Sequence, residues 1–187
     1  MKTVALTFAF VLAGSIWLGC GKSKDKSSKG ASGDVWTGMD GEVTKKLVVK
    51  GLDASGVKGL AGLTMKIPEN AKVTAAMSIS KSGPTTAQIS NNMGFTIWLS
   101  ADKVDVAKKQ GEIEKSSFSK FLGWVSKKPD ALIYKAKSLT GEPAYRFLVA
   151  LKVGGKDYYC RDATSVSFGA EKDVTQMVAA CRTLKKK

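Results

Sequence analysis

Histidine is absent from the 187 residues, arginine occurs three times, cysteine three times and proline four times. Without histidine the chain has no imidazole to ligate zinc, to act as a general base near neutral pH, or to activate a serine or cysteine nucleophile. Most hydrolase mechanisms therefore lose their base. Three arginines among 30 basic residues supply no Arg-rich patch, which argues against nucleic acid as a partner. Acidic residues are also scarce, 16 against 30 basic, for a formal charge of +14. What is abundant is apolar: 43% hydrophobic residues with few prolines exclude a disordered or collagen-like chain and predict one globular body.

No long hydrophobic run is present either. The uncharged stretch Val4 to Leu18 has 15 residues, about 22 Å as a helix at about 1.5 Å per residue, which falls short of a hydrocarbon core about 30 Å thick. With Lys2 before it and small Gly19 after it, residues 1–19 read as a secretory signal. An ordinary signal cleaved elsewhere, or an uncleaved anchor, would share those features. Gly19-Cys20 adds something more specific, because it resembles the lipobox of bacterial lipoproteins, although Trp17 and Leu18 are bulkier than the family's usual residues. The resemblance implies a diacylated (palmitate-type) Cys20 as the mature N-terminus. It also implies a cell-envelope location, with Gly21 rather than Asp directing the protein to the outer membrane, facing the periplasm or the surface. Residues 20–34 then form a lipidated cysteine and a Gly/Ser/Lys tether, a flexible coil spanning about 20 Å root-mean-square.

Once Cys20 is assigned to lipid, Cys160 and Cys181 remain as one pair. In an oxidising compartment they are available for a disulfide; as intracellular cysteines they would be two buried thiols. No C-x-x-C spacing suggests a redox site.

Residues 35–184 are long enough for a single core, and 185–187 form a basic tail. Strand patterns run over 43–50, 63–67, 72–79 and 93–99, rich in Val, Ile, Thr and aromatics. A long middle helix is expected from Ala101, ending before Pro129 and capped by Ser100 or Asp102, because Phe118, Phe121, Leu122 and Val125 fall at helical spacing. Strands follow over 131–138, 144–153 and 156–164, the last two joined by Gly154-Gly155, a strong signal for a primed hairpin turn. In the final segment Val174, Met177, Val178, Cys181 and Leu184 share a stripe of about 120°, predicting an amphipathic C-terminal helix packed on the sheet. The expected class is α+β, a single domain with an antiparallel sheet. The order LTMKIPENAKV, FTIWL, helix, GEPAYRFLVALKVGGKDYYC and terminal helix resembles the Mog1/PsbP-like α+β sandwich. That resemblance, one of layout over about residues 60–184, implies partner binding and assembly roles without a shared catalytic site.

Ser78, Lys81, Ser90 and Lys152 loosely mimic a penicillin-recognising set, but Ser78 sits in a strand pattern rather than opening a helix. Asp102, Asp105, Glu112 and Glu114 alternate with lysines and read as a solvated helix face. No metal site and no cofactor are expected. Trp98, Trp124 and Tyr158 are the candidate binding surface. The expected function is non-enzymatic: a cell-envelope lipoprotein, held to the membrane by its N-terminal lipid, that binds an envelope protein or polymer and assists assembly. The alternative is a carrier of a small, lipid-like ligand.

Overall fold

Period-two alternation decides most of the architecture. In the stretch LTMKIP, Leu63, Met65 and Ile67 are buried while the residues between them are not. A computed structural model describes residues 47–76, 84–91, 94–138, 141–163 and 168–187. The signal and Cys20, the tether, strand residues 43–46, 77–79, Met93 and Thr164, and the Ser78/Lys81 pair lie outside the described residues.

The described residues are mixed and mostly sheet, with two helices and ten strands in two antiparallel sheets. A three-stranded sheet has β2 (Leu63–Pro68) between β1 (Leu47–Gly51) and β10 (Lys185–Lys186). A seven-stranded sheet begins with β3 (Lys72–Ala75), β4 (Thr86–Ser90) and β5 (Thr96–Ser100). It continues through β9 (Lys156–Asp162), β8 (Pro143–Val153) and β7 (Ala131–Ser138) to β6 (Ser119–Lys127). The helices are α1 (Val106–Glu114) and α2 (Glu171–Arg182).

The main core joins both sheets and α2: Met65 and Ile67 from the small sheet meet Ile97, Leu99, Phe147 and Val149 from the large one. Val174, Met177, Val178 and Cys181 of α2 are buried in the same cluster, as the helical stripe predicts. Glu171 and Asp173 in its first turn and Arg182 in its last complement the helix dipole. Cys160 of β9 and Cys181 of α2 form a disulfide with a Cα–Cα distance of 6.1 Å. At the β8–β9 turn, Gly154 (φ 58°) and Gly155 (φ 79°) adopt the positive φ values that a primed hairpin turn requires.

The middle helix is a correction. It has nine residues, is capped by Asp105 rather than Ser100 or Asp102, and ends at Glu114. The Asp105 carboxylate accepts from the Lys108 amide at 3.0 Å. Residues 119–127 are instead the edge strand β6, with Phe121 and Trp124 half-buried and Leu122 and Val125 exposed. Pairing with β7 overrides the helical spacing, because it sets Phe121 and Trp124 against Tyr134, with ring centroids 6.4 and 5.7 Å away. Pro129 does not stop a helix there. It sits in the three-residue link 128–130, closed by the Lys128 amide donating to the Ala131 carbonyl at 2.8 Å. The basic tail is likewise not free: Lys185 and Lys186 pair with β2, and Lys187 forms an ion pair with Asp53.

Candidate groove on the second face of the large sheet

The face of the large sheet opposite the main core is only partly covered. Val106 of α1 packs with Leu132 and Leu148, and Val104, Ile113, Trp124, Ala150 and Tyr159 close around them. Glu114, at the end of α1, accepts a hydrogen bond from the Trp124 indole at 2.9 Å and pins the helix over β6. Asp105 and Glu114 of the acidic cluster thus have structural roles, while Glu112 pairs with Lys109 along the exposed helix surface at 2.6 Å. Beyond Glu114 the chain leaves the helix and crosses to β6, and the Ser116 and Ser119 hydroxyls meet at 3.3 Å.

Between this crossing and the sheet lies a groove of about 580 Å³, open on one side. Ile113 and Phe118 line it from above, with Lys109 at the helix, and Tyr134, Tyr159 and Arg161 line it from the sheet. Phe118 is 82% exposed, a large cost in apolar area for a residue at a rim. Its volume lies within the about 300–1,000 Å³ of small-molecule sites.

Strand register explains which residues reach the groove. Leu148 of β8 faces Arg161 of β9, and Arg161 in turn faces Trp98 of β5. Arg161 and Tyr159 therefore share the groove face, and Tyr158 and Cys160 share the core face. Tyr158 is 4% exposed within the main core, so it cannot contribute to a binding rim; this corrects its place in the sequence-based surface. Trp98 and Trp124 do lie on the groove face, but β9, β8 and β7 separate their strands, a span of about 19 Å at about 4.8 Å per strand. The sequence-derived trio does not form one patch.

Three charged groups define the electrostatics beneath the groove. Arg146 donates to Asp162 at 2.7 Å, with side chains only 13% and 6% exposed, and the other Asp162 oxygen accepts from the Phe147 amide at 3.1 Å. The Arg161 guanidinium lies 4.4 Å from the Trp98 ring centroid and forms no hydrogen bond or ion pair among the described residues. Burial pushes the Tyr134 phenol well above its ordinary range, and the nearby Asp162 charge adds to the shift, so the phenol stays neutral at physiological pH. Among the described residues no three His, Cys, Asp or Glu side chains converge as metal ligands. No protein-family model matches the chain, and no curated protein matches it.

Proposed function

We propose that the chain is a non-enzymatic α+β protein of the bacterial cell envelope, anchored by lipid on Cys20 and held off the membrane by the 20–34 tether. Its 35–184 domain binds a ligand in the groove beneath α1. The observation that carries this reading is a half-open recess walled by Phe118, Tyr134, Tyr159 and Ile113, with an Arg161 guanidinium that has no hydrogen-bond or ion-pair partner among the described residues. A concave recess that sets the carbon surface of Ile113, Phe118 and Leu148 beside polar groups such as Arg161, Ser116 and Ser119 suits a small amphipathic ligand better than a flat protein partner. The oxidised Cys160–Cys181 pair is in keeping with an exported protein.

Two experiments test the two halves of the proposal. Growth with a fatty-acid probe should label the wild type and leave Cys20→Ala unlabelled; equal labelling would remove the anchor. For the site, a photoreactive amino acid at Phe118, at the mouth of the groove, should give a low-mass adduct in cells. A single envelope protein captured there would instead favour a second reading, in which the chain binds an envelope protein or polymer. That reading rests on Phe118, Leu122 and Val125, which are 82%, 44% and 38% exposed along or beside edge strand β6.

A further inference from the structure

We propose that the groove is selective for an amphipathic carboxylate, an apolar chain ending in one carboxylate, whose head group pairs with the Arg161 guanidinium. The inference rests on the groove-binding reading and adds the chemistry of the ligand.

Asp162 beneath the groove is already matched by Arg146 and by the Phe147 amide. Lys109 at the helix edge is matched by Glu112. Arg161 alone is left over: its five N–H donors have no acceptor among the described residues, and its contact is the face of Trp98. The groove therefore presents one uncompensated positive charge to a ligand.

Stacking on Trp98 also prepares that charge for binding. A guanidinium lying on an aromatic face keeps its planar edge of donors free, and this edge matches the two oxygens of a carboxylate. Holding the side chain in place before the ligand arrives reduces the ordering cost on binding. A phosphate monoester carries about −1.5 to −2 at neutral pH, which one guanidinium does not neutralise. The single positive charge thus favours a monoanion.

The remaining lining selects the body of the ligand. Tyr134, Leu148 and Tyr159 present carbon surface across β7, β8 and β9, and Ile113 of α1 and Phe118 overhang it. Those three strands are about 10 Å across, two spacings of about 4.8 Å, a reach suited to a medium-length alkyl chain lying across them. Neutral Tyr134 contributes no negative charge that would repel an anion.

The test is equilibrium binding of decanoate, decanol and decyl phosphate to the full chain, each below its aggregation concentration. Wild type should bind decanoate at least tenfold more tightly than either analogue. Arg161→Gln should lose at least tenfold for decanoate and leave decanol unchanged, while Arg161→Lys, which keeps the charge without the planar fork, should recover part of the loss. Circular dichroism and the intact disulfide report that each variant is folded, and Arg161→Lys keeps the test open should the glutamine variant fail to fold. Equal binding of decanol and decanoate would overturn the carboxylate assignment and leave groove binding standing. Tighter binding of decyl phosphate would overturn the charge match. Binding of none of the three, together with no adduct at position 118, would remove the groove reading itself.

Discussion

Replacing Cys160 and Cys181 together by alanine is expected to lower stability by about 3 kcal/mol, because the bridge closes a loop of 21-residue separation whose entropy is otherwise free in the unfolded chain. Both side chains are fully buried in the main core, so alanine is the better replacement than serine, which would bury a hydroxyl. Some of the loss will come from the small cavities left by two sulfurs. Against a typical total of about 5–15 kcal/mol, this is a large fraction of the stability. Urea unfolding should show a lower midpoint for the double variant. Reductant should shift the wild type toward the same midpoint and leave the variant unmoved. Coincident midpoints for wild type and variant would show that the bridge does not contribute. The bridge also ties α2 to β9, the strand whose other face carries Tyr159 and Arg161 into the groove. Its loss should therefore raise amide exchange in β9 before it is felt in the small sheet.

Where the sequence could be read, one local period governed the element. Gly154-Gly155 fixes a turn by positive φ alone, and the α2 stripe is a single amphipathic face. The stretch SKFLGWVSK carries Phe121, Leu122 and Val125 at helical spacing, yet it runs as a strand in which two β-bulges, at Phe121/Gly123 and Trp124/Ser126, remove the period-two alternation that would mark it. Phe121 and Trp124 are three apart on one face, a spacing that a helix also gives. The ring contact with Tyr134 that selects the strand depends on a partner ten residues away in sequence, which local pattern does not supply.

The groove was less legible than the fold, though one clue was present. If Cys160 faces the core to reach Cys181, then Tyr158 must face the core with it, and Tyr159 and Arg161 must face the other way. By that parity Tyr159, not Tyr158, belongs with Arg161 on the groove face. The isolation of Arg161 was not readable at all, since Asp162 is its sequence neighbour and yet pairs with Arg146 across the strands. Charge balance in a sheet is set by register, and register needs the whole topology.

That same pair gives one of the costlier single substitutions expected in the fold. Asp162→Ala should destabilise by about 3–5 kcal/mol, because it strands the largely buried Arg146 guanidinium without a counter-charge. It also removes the acceptor of the Phe147 amide, a second buried donor left unmade. Asp162→Asn should cost less, since its side-chain oxygen can still accept from Phe147. In the Arg146→Met/Asp162→Leu double variant, neither charge is left unpaired, and the loss should be smaller than the sum of the two single losses. Chemical denaturation of the wild type, Arg146→Met, Asp162→Leu and the double variant measures this coupling; additive losses would mean the two charges are not stabilising each other. Asp162→Asn has a further consequence for the ligand, because it frees Arg146 beside Arg161 and raises the uncompensated charge of the groove from one to two. The preference for decanoate over decyl phosphate should then narrow or reverse in the folded variant, and an unchanged preference would show that the groove does not select its ligand by charge.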